Sequence, residues 1–360
     1  MAEGARALRR LERLEDPAAR RAAADDWLAA HPHHPARAEV EALARRARAL
    51  SPLRTIDAPP GTRARFFLED GPLLLDLLEE RVLRRIDPES GVELARSTKS
   101  EGEWVVCPAP GGFLTRRGGE LRRWDADLHP LGAVPMARPR AGLCMVATTP
   151  DGRLAVLCLA DGEAVVVRVA DGSEVLAVRA HAGDIDAAAF TPDGGVLLTG
   201  GDSRDPTVRL WSIDGRLVRR VALGGNPKAA VFDPTGGCFY VATSVGRIYA
   251  VPLDPALPPR EPLVPPAADG APGGEVLPGA HGTGVVRGLA RAPDADRLWS
   301  VAGGTWPGAR QLRAWDLRTG ALRYEVAGLG LDPARLVVSP SGRLLAVSSE
   351  EGPVQVWATD

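Results

Sequence analysis

The sequence predicts an all-β fold, a seven-bladed β-propeller of four-stranded antiparallel blades, preceded by a small α-helical N-terminal segment. Three observations lead to this fold class. Residues 1–50 show apolar residues at helical spacing, residues 51–360 consist of short apolar stretches between Pro and Gly clusters, and a turn of Pro-Asp-Gly type recurs in that second region. We therefore expect two domains with a boundary at about residue 50.

The first 50 residues predict two or three short helices. Leu8, Leu11 and Leu14 lie three residues apart and form one apolar stripe. The Asp-Pro pair at 16–17 is typical of an N-cap followed by proline at the first helical position, and the Ala-rich stretch after it favours helix. The prolines of "HPHHP" at 31–35 end this helix, and "ARAEVEALARRARAL" begins another.

Five turns related to Pro-Asp-Gly divide the rest of the chain into repeats. Their prolines are separated by 42, 42, 59 and 47 residues, and a four-stranded repeat of about 40–45 residues is typical of a propeller blade. The turns lie at Pro150, Pro192, Pro234, Pro293 and Pro340. Alternating strands often end in Trp, and the seven endings are Ile86, Trp124, Arg168, Trp211, Val251, Trp315 and Trp357, with Ile, Arg and Val replacing Trp in three repeats.

With these motifs the sequence resembles the WD-repeat β-propeller family over residues 51–360. The resemblance is strongest around Trp211 and Trp315 and weak before residue 100, where "FFLEDGPLLLDLLEERVLRRID" has neither the turn nor the Trp. Six blades plus a degenerate segment therefore remain an alternative to seven. The excess residues "DPALPPREPLVPPAADGAPGG" predict a Pro-rich insert at about 254–274.

Ring closure favours seven blades. The chain ends at "VQVWATD", the third strand of its blade, so the outer strand of that blade is missing. The segment "PLRTID" at 52–57 can supply it, which removes an open sheet edge that would otherwise invite aggregation.

The WD-repeat resemblance implies a structural hydrogen-bond network in the repeat that ends at Trp211. It places His181 before the inner strand, Thr199 on the second strand, Asp205 in the next turn and Trp211 on the third strand. The alternative is a catalytic hydroxyl–imidazole–carboxylate arrangement, which would require an exposed hydroxyl at a strand-to-helix turn. Because Thr199 is predicted mid-strand and is followed by Gly-Gly, we expect the structural network and no catalytic residues.

The same resemblance implies that partners bind where turns lead into inner strands and join second to third strands. Carried over to this sequence, the candidate partner-binding residues are Asp184, Asp186, Arg204, Arg287 and Trp306. Trp306, in "GGTWPGARQ", has the composition of an interface hot spot beside Arg, although it can also fold onto its own blade.

The N-terminal segment also resembles a short repeat-companion domain found ahead of repeat proteins in some bacteria. Asp26, Trp27 and Leu28, followed by "ARAE" at 36–39, carry that likeness over about 30 residues. It implies no activity. It predicts a helical cap, anchored by Trp27, that packs on the propeller or on a partner.

Composition narrows the partners and the compartment. A formal net charge of −2 gives no overall electrostatic footprint for nucleic acid or an anionic membrane surface. The cysteines Cys107, Cys144, Cys158 and Cys238 form no CxxC pair, so we expect small buried side chains in a reducing, cytoplasmic compartment. "HPHHP" lacks a neighbouring fourth ligand, so we expect no metal. The sequence has no Walker-type phosphate loop, GxSxG or HExxH motif, so we also expect no cofactor.

The sequence therefore predicts a non-enzymatic scaffold in a bacterial multi-protein assembly, which binds proteins through a propeller face and the N-terminal helices. One alternative is the propeller component of an ATPase- or peptidase-linked conflict or signalling system. The other is a ligand-binding or enzymatic propeller, which would require polar residues at several inner-strand ends. The small apolar inner strands "DAAAFT" and "KAAVFD" argue against that last alternative.

Overall fold

The computed structural model describes residues 6–7, 10–11, 13, 17–37, 40, 52–69, 71–136, 142–254, 256, 285–291, 296–304, 310–317, 322–327, 329–349 and 351–359. Helix α1 (Pro17–Ala30) begins at the predicted proline and ends before "HPHHP", so this prediction is confirmed. In the N-terminal segment Leu11, Ala24 and Val40 form a small buried cluster, against which Trp27 packs. No helix within the described ranges is long and apolar enough to cross a membrane.

The described strands form seven antiparallel sheets, which we number as blades in chain order. After β1 (Arg54–Ile56), blade 1 holds β2 (Thr62–Phe67), β3 (Leu73–Leu77), β4 (Val82–Ile86) and β5 (Glu93–Thr98). Blade 2 holds β6 (Glu103–Ala109), β7 (Gly112–Arg117), β8 (Glu120–Asp125) and β9 (Pro130–Ala133). Blade 3 holds β10 (Leu143–Thr148), β11 (Leu154–Leu159), β12 (Glu163–Arg168) and β13 (Glu174–Arg179).

Blade 4 holds β14 (Ile185–Phe190), β15 (Val196–Gly201), β16 (Thr207–Ser212) and β17 (Leu217–Ala222). The described strands of blade 5 are β18 (Pro227–Phe232), β19 (Cys238–Thr243) and β20 (Ile248–Pro252). Blade 6 holds β21 (Val285–Arg291), β22 (Arg297–Gly303), β23 (Gln311–Asp316) and β24 (Leu322–Ala327). Blade 7 holds β25 (Pro333–Val338), β26 (Leu344–Ser349) and β27 (Val354–Ala358).

The ring closes as the sequence predicts. Strand β1 pairs antiparallel with β27, with Arg54 opposite Val356 and Ile56 opposite Val354. The N-terminal end of the propeller thus supplies the fourth strand of blade 7, and the seven-blade prediction is confirmed. The predicted insert at 254–274 lies almost wholly outside the described residues.

The first strand of every blade lies at the centre of the ring, where it contacts the first strands of its neighbours. Each of these inner strands carries a one-residue register shift near its start. Such bulges re-aim a side chain and locally increase twist. The residues at the shift are Arg65, Val106, Cys144, Asp186, Lys228, Arg287 and Ala334, so four of the seven positions around the channel are charged.

The core lies between neighbouring blades. Trp211, for example, packs with residues of blade 3 such as Val156 and Val166. In the register of blade 4 Leu197 lies opposite Trp211, and in blade 3 the corresponding pair is Ala155 and Val167.

Arg168 therefore does not occupy the Trp position that the sequence assigns to it. The turn after β12 is one residue longer: Gly172 donates to the carbonyl of Arg168, whereas Gly215 donates to that of Ser212. The extra residue moves the equivalence back to Val167, which is buried.

Two faces of the ring matter below. The face that carries turns 180–184 and 202–206 of blade 4 is called the upper face. The face that carries turns 191–195 and 213–216 is called the lower face. They lie at opposite ends of the strands because the strands of a blade are antiparallel.

Candidate functional site

The four residues predicted as a network in blade 4 lie together. The indole Nε1 of Trp211 donates to Thr199 Oγ1 at 3.1 Å, and Thr199 Oγ1 lies 3.0 Å from His181 Nε2. His181 Nδ1 lies 3.2 Å from Asp205 Oδ2. The chain of hydrogen bonds thus joins the turn before the inner strand to the second and third strands of the same blade.

The carboxylate fixes the direction of these bonds. An ionised Asp205 can only accept, so His181 donates from Nδ1 and accepts the Thr199 hydroxyl proton at Nε2. Burial lowers the pKa of His181, despite the opposing charge of Asp205. Burial also acts to raise the pKa of Asp205, but hydrogen bonding by Thr207 and the nearby charge of Arg209 hold it below its usual value. The network therefore contains a neutral imidazole and an ionised carboxylate.

Glycine at position 201 makes room for the network. A Cβ there would lie 2.3 Å from the carbonyl oxygen of Asp205 and 2.5 Å from His181 Nδ1. Real Cβ atoms do not approach backbone oxygens that closely, so the second glycine of "TGG" is required by the neighbouring ring and turn.

A second network, which was not predicted from the sequence, lies in blade 2. Trp124 Nε1 donates to Thr115 Oγ1 at 3.0 Å and lies 3.1 Å from Glu103 Oε1, while the Thr115 hydroxyl donates to Glu103 at 2.5 Å. Glu103, at the start of β6, takes the part that His181 takes in blade 4. The available signal was a Thr nine residues before a strand-ending Trp, together with a buried carboxylate at the inner-strand entrance.

The remaining blades divide by the residue at the Thr199 position. Blade 6 has Ser300 there, and Trp315 donates to its hydroxyl at 2.8 Å. Blades 1, 3, 5 and 7 have the apolar residues Leu75, Leu157, Val241 and Val347 at this register. Among the described residues the indole N–H of Trp357 in blade 7 has no hydrogen-bond partner, as expected when the facing residue is Val.

The members of the blade 4 network are buried. His181 is 1% exposed and Thr199 is fully buried in the middle of β15. Both ring nitrogens of His181 have hydrogen-bond partners within the blade, namely Thr199 and Asp205. These bonds link the turn before the inner strand to the second and third strands.

Four of the five predicted partner-binding residues, Asp184, Asp186, Arg204 and Arg287, lie on the upper face. Arg204 donates to Asp202 at 2.9 Å and lies 3.4 Å from Asp184, with its side chain 62% exposed. Asp186 and Lys228 form an ion pair of 2.5 Å between blades 4 and 5. These pairs place charges of both signs on the upper face, and together we call them the charged band.

Arg287 continues this band in blade 6. Its guanidinium lies 3.4 Å from Asp332 and is about one-third exposed. Lys228 and Arg287 line a cavity of about 310 Å³ together with Ala334. Trp306 lies outside the described residues. In the part of the chain that the structure describes, no group of three or more His, Cys, Asp or Glu side chains is arranged to hold a metal ion.

The histidines of "HPHHP" pack beside α1. The His31 ring stacks on Trp27 at 4.5 Å between centroids, and His34 meets Trp27 edge-on at 5.2 Å. His31 Nδ1 lies 2.9 Å from the Trp27 carbonyl oxygen, so it donates to the end of the helix. These contacts fix the turn after α1 and leave Trp27 half-buried.

Fold and network together define a seven-bladed β-propeller in which blades 2, 4 and 6 pair a Trp with a buried hydroxyl. Residues 172–212, which include His181 and Trp211, match the family model described as WD domain, G-beta repeat. A chain from the structure titled "Crystal Structure of Mitotic Checkpoint Complex" is similar, with a TM-score of 0.68 and 16% identity. The likeness covers 86% of this chain and 92% of that one, and it shows the fold. No curated protein matches the sequence.

Proposed function

We propose that this protein is a non-enzymatic, cytoplasmic protein–protein interaction scaffold of a bacterial multi-protein assembly. It binds one partner through the upper face and a second component through the N-terminal helical segment. Propellers with WD repeats are typical interaction scaffolds, and the match over residues 172–212 supports this class. The observation that carries the proposal is the charged band on the upper face, centred on Asp184 and Arg204.

The pair of Arg204 and Asp184 is exposed enough to change partners. Exposed ion pairs contribute little to folding, since solvent screens them and the side chains lose entropy when paired. Alternating charges instead give orientation and specificity when a complementary surface arrives. Arg204 is anchored by Asp202 yet keeps more than half of its side chain in solvent. That combination suits recognition of an acidic group on a partner.

The N-terminal segment supports a second contact. Its buried cluster consists of Leu11, Ala24 and Val40, and Trp27 and Leu28 pack against that cluster without being fully covered. A half-buried Trp on a small helical unit is a suitable anchor for a partner.

Affinity capture of the tagged, full-length protein from its native host, quantified by mass spectrometry, tests the proposal. We expect Arg204→Ala combined with Asp184→Ala to reduce capture of one specific partner about tenfold or more, with an unchanged melting temperature. Trp27→Ala should reduce a different component.

The matched control is Arg96→Ala on β5 of blade 1. Arg96 is 54% exposed and pairs with Glu93 at 2.9 Å, so it resembles Arg204 in exposure and pairing but lies on the rim of the ring. Equal losses with Arg96→Ala, or full capture by the upper-face variant, would contradict the assignment of the face. If Arg287 is tested in the same way, it is replaced by Ala, because a Glu carboxylate beside Asp332 would introduce electrostatic repulsion.

A further inference from the structure

A cavity of about 640 Å³ opens on the lower face, opposite the charged band. It is lined by blade 2 through Pro110 and Leu131, by blade 3 through turn 149–153 and Arg168, and by the turn of blade 4 at Asp193. We call this cavity the lower groove. It borders blade 3, where the much smaller Val167 occupies the Trp position. Ala155 lies opposite Val167, where blade 4 has Leu197 opposite Trp211.

The two turns that border the lower groove are rigid. The Thr149 hydroxyl donates to Asp151 at 2.6 Å, and the Thr191 hydroxyl donates to Asp193 at 2.6 Å. Gly152 of the first turn packs directly on blade 2, since a Cβ there would lie 1.9 Å from Cδ of Pro110. The walls of the groove are therefore preformed, which lowers the entropy cost of binding.

Both turn carboxylates are engaged within their own turns. The pKa of Asp151 is lowered by the hydrogen bond from the Thr149 hydroxyl and then by the backbone N–H of Arg153. The pKa of Asp193 is lowered in the same way by Thr191 and its own turn. Their charge is thus neutralised in part by local donors, and they are poor partners for an incoming cation.

Three arginines supply the positive charge of the groove: Arg123, Arg153 and Arg168. Arg123 has no hydrogen-bond or ion-pair partner among the described residues, and its Nε is buried. Arg153 is 84% exposed and lies 3.5 Å from Asp151. Arg168 is 51% exposed, lies 3.8 Å from Asp171 and donates to the Ser173 hydroxyl at 2.5 Å. The guanidinium of Arg123, which has no partner among the described residues, lines the same cavity as these two exposed arginines, and this arrangement favours a carboxylate ligand.

The groove also has an apolar side. Leu131 on the outer strand of blade 2 is 58% exposed, although most of the large apolar side chains that the structure describes are buried. Val169 and Leu154 extend this surface on blade 3. An exposed Leu within reach of three arginines matches a ligand that carries acidic and apolar groups side by side.

We propose that the lower groove binds a partner's peptide segment in which Asp or Glu residues flank a bulky apolar side chain. The acidic groups pair with Arg123 and Arg168, and the apolar side chain covers Leu131. This inference rests on the proposed scaffold function and adds a second docking surface on the opposite face. It commits to one occupant, a peptide of this composition, because three arginines and the exposed Leu131 line the same cavity.

Selection from a random peptide display library on the immobilised full-length protein tests the inference. We expect enriched peptides to contain acidic residues beside Leu, Ile or Phe, and the affinity of a labelled enriched peptide is then measured by fluorescence polarisation. Arg168→Glu and Leu131→Asp, both at exposed positions, should each weaken that peptide about tenfold or more. Arg123→Gln is a third variant, and it is interpreted only if its melting temperature is unchanged.

The matched control is Arg204→Glu on the upper face, which should leave the affinity of the peptide unchanged. Enrichment of neutral or basic peptides, no enrichment at all, or unchanged affinity in both exposed variants would overturn the lower groove as a peptide site. Loss of affinity with Arg204→Glu alone would also overturn it, because the peptide would then bind the upper face and the proposed function would stand.

Discussion

Blades 4 and 2 solve the same packing problem with different chemistry. Each buries a Trp whose indole N–H donates to a Thr hydroxyl, and each provides an acceptor for that hydroxyl, in the turn before the inner strand of blade 4 and at the start of the inner strand of blade 2. In blade 4 the acceptor is a neutral His181, and in blade 2 it is the carboxylate of Glu103. The requirement is therefore an acceptor at this position and not a particular residue type.

The two networks also differ in the number of residues that they connect. In blade 4 His181 is hydrogen-bonded to Asp205, which accepts further hydrogen bonds from Thr207 and Arg209 at 2.8 Å each. Glu103 ends the chain in blade 2, where it accepts from Trp124, Thr115 and the backbone N–H of Ser100. Blade 4 thus depends on a longer series of partners, and loss of one member leaves more groups unpaired.

The largest difference should come from Asp205→Ala. This change leaves Nη2 of Arg209, the hydroxyl of Thr207 and His181 Nδ1–H without the acceptor that Asp205, 7% exposed, provides, although Nη1 of Arg209 keeps the carbonyl oxygen of Ala180. Removing one partner from a buried charged cluster typically costs several kcal/mol, so we expect a loss of about 4 kcal/mol in the free energy of unfolding, measured by urea denaturation. Asp202→Ala, three residues earlier and paired with the exposed Arg204, is the control and should cost under about 1 kcal/mol. Equal effects would show that the carboxylate of Asp205 is not the hub.

Replacing Thr199 and Thr115 should lower the free energy of unfolding by different, smaller amounts. Thr199→Val keeps the shape but leaves the Trp211 N–H without an acceptor and His181 Nε2 without a donor, which should cost about 2 kcal/mol. Thr115→Val should cost about 1 kcal/mol, because Trp124 retains Glu103 as an acceptor at 3.1 Å. Urea denaturation of both variants under one condition gives the comparison. A larger loss for Thr115→Val would reverse our ranking of the two networks.

These elements also show what the sequence can predict. The seven blades and the closing strand β1 could be predicted because they follow from the alternation of apolar and polar residues and from the regular spacing of turns. Both patterns can be recognised in consecutive residues. The grouping of His181, Thr199, Asp205 and Trp211 also follows from sequence, because the WD-repeat pattern specifies the order and spacing of its members. The pairing of the two distant parts of the chain that close the ring, as between Ile56 and Val354, was predictable because an unpaired strand edge is costly.

What the sequence could not supply depends on exchangeable chemistry and on register. Glu103 was missed because a carboxylate can replace an imidazole as an acceptor while sharing no motif with it. Arg168 was misplaced because one extra turn residue shifts the equivalence, and only the backbone bonds of Gly172 reveal the shift. The lower groove was not predicted because it arises where blades 2 and 3 meet, and no stretch of consecutive residues encodes that junction.

The smallest expected effect concerns pH, and it distinguishes the imidazole from the carboxylate. Burial lowers the pKa of His181 below its ordinary value of 6.5, so the unfolded chain takes up a proton at a higher pH than the folded protein does. Stability from this group is therefore fully present above pH 6.5 and is lost as the pH falls through the folded pKa. Burial acts to raise the pKa of Glu103, but hydrogen bonds from Thr115 and Ser100 outweigh this effect and hold the pKa below its ordinary value of 4.5. The stability that Glu103 contributes is therefore lost only as the pH falls below about 4.5.

Urea midpoints measured from pH 8 to pH 5 test this assignment. The wild-type midpoint should decline below about pH 6.5, and His181→Gln, which keeps one donor and one acceptor, should lack that part of the decline. Glu103→Gln is the matched control and should follow the wild-type profile over the same range, because Glu103 stays ionised there in both the folded and the unfolded chain. An identical slope in His181→Gln and wild type would mean that other histidines carry the pH dependence. In that case the neutral imidazole would contribute packing contacts to blade 4, and the stability of blade 4 would be no more sensitive to acid than that of blade 2.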